Sequence, residues 1–223
     1  GGAAATVGGV ATDITLSSLA SSGAAGDALS LALGAGSSFT VTGATTLSGM
    51  GGNGIDLSGS TGGSFSFGDV DVTGLGSGTG LNLAGGDATV TMASLDVTGT
   101  DAAGSRGIDI SGTQNGRTVT ITNGGTISGV DTGIVLGSNG AAGAAPSANF
   151  TFGGGSVSGN TYALDGIGVV AGNGSYAFGS TAFTGGFNFA VRPPNNYYVA
   201  ATPTGTGDGS SADNRASTAH ALA

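Results

Sequence analysis

Apolar residues along this chain alternate with small polar ones in short runs, and the runs come in threes. Between Gly51 and Gly74 the sequence reads GGNGIDLSGSTGGSFSFGDVDVTG, with Ile55 and Leu57, Phe65 and Phe67, and Val70 and Val72 as the alternating pairs. A period of two places each pair on one face of an extended segment and the small polar residues on the other. The segments close at Gly59, Gly68 and Gly74. Three such segments separated by glycine turns predict one triangular coil of a β-solenoid.

The pattern repeats on both sides. Upstream lie Leu29 and Leu31, Phe39 and Val41, and Leu47 before Gly49. Downstream come Leu81 and Leu83, Val90 and Met92, and Leu95 and Val97, closing at Gly99. Ile108 and Ile110, Val119 and Ile121, and Ile127 follow, then Ile134 and Leu136, Phe150 and Phe152, and Val157. The first apolar residue of each coil falls at 29, 55, 81, 108 and 134, at spacings of 26, 26, 27 and 26. A fixed period in this range marks a solenoid, because one coil cannot bury its own apolar face and needs neighbours stacked on it. Each inward side chain contributes roughly 1.5–3 kcal/mol when fully buried, which offsets the conformational freedom lost by a glycine-rich chain. Parallel coils of this kind stack about 4.8 Å apart, so equivalent positions form ladders inside and outside.

The clear coils occupy residues 28–159. Residues 1–27, with Ile14, Leu16 and Leu19, read as an incomplete coil, and the loop GSNGAAGAAPSA at 137–148 as a solvated excursion. From Asn160 to residue 191 the register blurs. Ala163–Leu164 and Ile167–Val169 both offer a first segment ahead of Tyr176, Phe178 and Phe183. Phe187, Phe189 and Val191 open a further coil, and Arg192-Pro193-Pro194 ends strand pairing because neither proline donates to a ladder. The reading is one solenoid domain over 1–191, followed by a Pro/Gly/Ser/Thr-rich tail or linker over 192–223.

Composition removes several classes. The glycines, 49 of them against four prolines, do not fall every third residue, so collagen is excluded. There is no Lys and no Glu, and thirteen Asp against four Arg give a net charge of −9. No basic footprint exists for nucleic acid or for anionic lipid. No run of 18 apolar residues spans a bilayer as a helix. A long solenoid core needs no disulfide, and the chain has no Cys. The opening GGAAATVGG lacks the basic-then-apolar pattern of a signal peptide, so an exported form is expected to be a processed piece.

The coil motif, glycine followed by an apolar-x-apolar pair, a second apolar pair and a third closing on glycine, resembles right-handed parallel β-helices of the pectate-lyase-like class. With this Gly/Ala/Ser/Thr composition it is most similar to autotransporter passenger domains and bacterial surface adhesins, over about residues 10–191. The resemblance implies a right-handed β-helix of six to seven coils and export to the bacterial surface through the outer membrane. It implies that any C-terminal barrel anchor has been removed or belongs to another chain.

Candidate chemistry is sparse. The sole histidine, His220, lies in the tail, and Arg192 and Arg215 lie outside the clear coils. Arg106 and Arg117 flank Asp109 and are expected to pair with carboxylates structurally. No Cys–His system can be assembled, and Ser without a positioned base is no triad, so no enzyme and no catalytic residue is expected. For metal, GGNGID at 51–56 matches one unit of a calcium-binding nonapeptide repeat, which makes Asp56 a candidate; the equivalent stretches read SGTGLN, GSRGID and VDTGIV. Asp71 and Asp96 each precede a third-segment valine and should stack on the outer face, where calcium would favour their oxygens over mutual repulsion. No other cofactor is expected. The outward positions of the second segment form a hydroxyl ladder, Thr40, Ser66, Thr91, Thr120 and Thr151.

The functional expectation is an extracellular structural or adhesive β-helix without catalysis, with a cell-surface or carbohydrate ligand. One alternative is a β-helix carbohydrate-active enzyme, a polysaccharide lyase or hydrolase, marked by a cleft where Asp and Arg converge. Another is an ice- or surface-binding solenoid using the hydroxyl ladder. Phe187, Phe189, Tyr197 and Tyr198 mark an expected assembly end. Unprotected solenoid edges invite pairing, so head-to-tail filaments or continuation of a longer rod are expected.

Overall fold

A computed structural model describes residues 3, 5–8, 12–112, 117–137, 148–170 and 175–192. All the regular structure among them is strand, and all the pairing between strands is parallel. About six turns of a β-solenoid run from Leu29 to Thr184, with one shallower coil ahead of them.

That N-terminal coil consists of β1 (Ala5–Gly8), β2 (Asp13–Leu16) and β3 (Leu19–Ser22). The next holds β4 (Leu29–Ala32), β5 (Ser38–Val41) and β6 (Thr45–Ser48). Then come β7 (Ile55–Asp56) with β8 (Ser64–Leu75), and β9 (Thr79–Asn82) with β10 (Thr89–Gly99). The following coil has β11 (Arg106–Asp109), β12 (Thr118–Ile121) and β13 (Gly125–Ser128). β14 (Thr132–Val135), β15 (Asn149–Val170) and β16 (Ser175–Arg192) complete the solenoid. First, second and third segments each stack on their counterparts, giving three faces. The first face runs β1-β4-β7-β9-β11-β14-β15 and ends on β16.

The inward ladders follow the alternation. Leu57, Leu83, Ile110 and Leu136 are all fully buried, as are Ile55, Leu81, Ile108 and Ile134 beside them. On the second face Phe39, Phe65, Val90, Val119 and Phe150 stack in register. The third face contributes Leu47, Val72, Val97, Ile127 and Val157.

Two details differ from the sequence reading, and one choice it left open is resolved. β1, β2 and β3 supply all three segments of a coil, because Val7 pairs in register with Leu31 and provides the first; its inward side chains are only half-buried, with a paired neighbour on one side alone among the described residues. Second and third segments are not separated by turns in every coil: β8, β10, β15 and β16 run through the corner as single strands. Gly68 bends there against the Gly43 carbonyl, leaving no room for a Cβ. The ambiguous register resolves to Leu164, which pairs with Ile134, while Ile167 pairs with Ala190 farther along. The loop over 138–147 lies outside the described residues, as does everything after Arg192, including Tyr197 and Tyr198.

Two glycine rows shape the coil. At the corner closing the third segment, Gly23, Gly49, Gly74 and Gly129 take φ of 61–67°, a region glycine enters without a Cβ clash. One coil shifts this role to Asp101 (φ 61°), beside the register slip between Thr98 and Gly99. The second row, Gly54, Gly80, Gly107 and Gly133, opens the first face. A Cβ there would sit 2.5–2.7 Å from a carbonyl oxygen of the next coil and would run into Val72, Val97, Ile127 or Val157. The third-face branched residues fill the volume these glycines leave empty.

Candidate functional site

The outward row of the first face carries most of the polar chemistry. In register it reads Ser30, Asp56, Asn82, Asp109, Val135, Asp165. Asp56 and Asn82 each accept from the backbone N–H two residues on, Ser58 (3.1 Å) and Ala84 (3.2 Å), and Asp109 accepts from Ser111 N–H (2.8 Å). Each side chain thereby fixes the corner after its own strand. Asn82 Nδ2 also donates to Asp56 Oδ1 at 2.9 Å, tying two coils together. Asp56 is therefore held in a structural ladder.

The row deepens into a cleft of about 220 Å³ where three coils meet. Its walls are Gly104, Arg106, Asp131, Thr132, Val135, Thr161, Tyr162 and Asp165. Arg106 pairs with Asp109, which is buried beneath it. Val135 and Asp165 are buried as well, although they point away from the core. Asp131 sits just before β14 and accepts from Gly104 N–H at 2.9 Å and from the Thr161 hydroxyl. One carboxylate thus holds the corners of three successive coils. The Thr161 hydroxyl, then the Gly104 amide, keep the Asp131 carboxyl below the usual carboxylate range. It is ionised at neutral pH and cannot serve there as a proton donor.

Four further carboxylates are engaged in the same way. Asp13 accepts from Ser38 (2.6 Å), Asp69 from Ser94 (2.7 Å), Asp27 from Asn53 N–H (2.6 Å) and Asp101 from Asn160 (2.9 Å), each from a different coil. Asp71 and Asp96 do lie side by side in register on the third face, both exposed. Asp96 Oδ1 also accepts from Thr126 N–H at 2.7 Å. Among the described residues no group of three or more Asp, Glu, His or Cys converges as a metal site. Calcium, which takes six to eight oxygens, would find two carboxylates here and no more protein acids.

Arg117 does not flank Asp109 in space. Its side chain turns into a corner where equivalent positions carry Ser37, Gly63, Ala88 and Ala148, and it is 1% exposed. Nη1 donates to the Leu83 carbonyl (2.7 Å), while Nε and Nη2 have no hydrogen-bond partner among the described residues. Burial pushes its pKa down to about 10, partly countered by Asp87. Gly86 admits it, since a Cβ there would come within 2.3 Å of Nη2.

The hydroxyl ladder forms in register as Thr15, Thr40, Ser66, Thr91, Thr120 and Thr151, and ends at Ala177. Phe187 is 45% exposed, and the backbone of Phe189 belongs to β16. The sequence reading missed Asp131. Its one signal was the recurrence of Asp27, Asn53 and Asp131 just ahead of first segments.

The fold and these ladders place the chain among parallel β-solenoids. Compared with known proteins, it matches no family model, no curated protein and no solved structure at a significant level.

Proposed function

We propose that this chain is a structural or adhesive solenoid displayed outside the cell, without catalytic activity. The observation that carries the reading is how the carboxylates are used. Asp13, Asp27, Asp56, Asp69, Asp96, Asp101 and Asp131 each accept a hydrogen bond from another coil. Side chains that an enzyme of this architecture would present to substrate instead stitch the rod along its axis. The coil motif's resemblance to autotransporter passengers supports a bacterial surface location, reached across the outer membrane. Protease shaving of intact producing cells tests this: the chain should be released from the surface. A chain protected until the cells are lysed would overturn the reading.

A second reading has one observation in its favour. Arg106, Asp131 and Asp165 converge on a single cleft, the arrangement expected of a β-helix carbohydrate-active enzyme. General acid catalysis calls for a carboxyl that stays protonated near the working pH. Asp131 is shifted the opposite way. New reducing ends or unsaturated products from acidic polysaccharides, abolished in Asp131→Asn, would establish this alternative. The ice- or surface-binding reading rests on the in-register hydroxyl ladder, which Ser66 and Ala177 make irregular. Thermal hysteresis in the purified chain would favour it.

A further inference from the structure

Stacked repeats favour like residues in like places, so departures from the repeat mark what stacking alone does not require. Three departures gather around β14. The row that opens the first face reads Thr79, Arg106, Thr132, Tyr162, Gly186 in register, so two long side chains flank a short one. Farther along the same strands Val135 stands between Asp109 and Asp165, where earlier coils carry Asp56 and Asn82. At the adjoining corner Asp101 takes the left-handed conformation that Gly23, Gly49, Gly74 and Gly129 occupy elsewhere. Its carboxylate accepts from Asn160, two coils away. A strained residue held by its neighbours in this way is a mark of a working site.

The middle coil is therefore sunk between the other two. Thr132 and Val135 form the floor of the 220 Å³ cleft, and Arg106 and Tyr162 wall it, two strand spacings or about 10 Å apart. Gly186 follows Tyr162 in the row, so close that a Cβ there would come within 3.2 Å of the ring. No side chain of the next coil covers the ring from that position.

Donors, acceptors and apolar surface meet in this cleft. Arg106 gives Nη1 to Asp109, and its guanidinium has further N–H donors. Asp131 accepts from Gly104 and Thr161, which uses two of the about four lone-pair positions of a carboxylate. Tyr162 adds an aromatic ring with a hydroxyl at its tip. A sugar ring matches this mixture, because its hydroxyls both donate and accept while its C–H faces are apolar. The volume suits one ring, since sites that enclose whole drug-sized ligands run to about 300–1,000 Å³. Charge then selects among sugars. Arg106 is already neutralised by Asp109, and Asp131 leaves the cleft negative on a chain of net charge −9. Uronic acids, sialic acids and phosphorylated glycans would be repelled.

We propose that this cleft binds one residue of a neutral glycan, with Asp131 and Arg106 taking the sugar hydroxyls and Tyr162 packing against the ring. The site lies on the flank of the rod, with paired coils on either side of it. It rests on the adhesive reading above and deepens that reading by naming the class of ligand held.

Affinity electrophoresis of the full chain tests this, in gels containing dextran, mannan or galactan set against gels containing polygalacturonate or alginate. At least one neutral polysaccharide should retard the chain, and the acidic ones should not. Tyr162→Ala and, separately, Asp131→Asn should each weaken the interaction by about tenfold or more, with melting curves to identify a variant that has unfolded. Thr91→Ala combined with Thr120→Ala, on the second face, should bind like the unmodified chain. Hydroxyl-radical footprinting locates the site without any substitution: oxidation of Tyr162 should fall when the retarding polysaccharide is present. Retardation by none of the neutral gels overturns the proposal. So does stronger retardation by the acidic ones, a loss of binding through the Thr91 and Thr120 pair, or a Tyr162 footprint that the polysaccharide leaves unchanged. Cleavage of the bound polysaccharide would sink the non-catalytic reading and leave the ligand of the cleft standing. Failure of protease shaving to release the chain would sink the surface location alone.

Discussion

At the scale of single residues, burial and hydrogen bonding assign each side chain its part. Ile110 is fully buried between Leu83 and Leu136 in the first-face ladder. Ile110→Asp places an unpaired charge in an apolar interior and should cost several kcal/mol, read as a large fall in Tm. An unchanged Tm would show that the ladder does not stack as described. Asp131 gives a pH-dependent case. Its folded-state pKa is depressed, so its contribution to stability is present above the unfolded carboxyl value of about 3.9 and is lost as pH falls through the lower folded value. Asp131→Ala should therefore lower Tm at neutral pH, and the gap to the unmodified chain should close below about pH 4. A gap that stays constant down to acid pH would mean that the carboxylate does not hold the three corners.

At the scale of the element, the first-face strand works because it opens on glycine. A Cβ at Gly107 would lie 2.3 Å from Ile127 Cγ2 and 2.5 Å from the Gly133 carbonyl oxygen, both inside the packed coil. Gly107→Ala should lower Tm by forcing neighbouring coils apart. Gly26, by contrast, has nothing within 4 Å of its Cβ position. Gly26→Ala should be neutral or stabilising, by up to about 1 kcal/mol, because it reduces only the freedom of the unfolded chain. Equal losses at both sites would mean that the glycine row answers to backbone conformation and not to the third-face side chains. The run-through corners in β8 and β10 belong to this scale as well. A single bending residue suffices there, so two predicted strands become one.

At the scale of the whole molecule, stability comes from stacking identical positions. Coil-to-coil hydrogen bonds from Asp, Asn, Ser and Thr reinforce the backbone ladder on the outside. Asp71 and Asp96 are the one in-register acidic pair on the third face among the described residues, and Asp96 already accepts from Thr126. Tm in the presence of a chelator should therefore match Tm with added calcium. A drop on chelation that Asp96→Ala removes would assign the pair to calcium after all.

The period near 26, the inward residues and the three-segment coil were all legible in the sequence. Each inward position depends only on alternation within its own strand, and alternation is local. Leu57, Leu83, Ile110 and Leu136 could be named as one ladder for that reason. The hydroxyl ladder and the Asp71–Asp96 neighbours were legible too, since they follow from the same phase. What only the tertiary structure decided depends on contacts between coils at corners, where spacing varies. Asp131 reaches Gly104 and Thr161 across three coils, and Arg117 turns inward past Gly86 instead of toward Asp109. The choice of Leu164 over Ile167 likewise rests on pairing with Ile134, a partner no local pattern distinguishes. Periodicity determines which face a side chain takes; the stacking of neighbouring coils determines what it meets there.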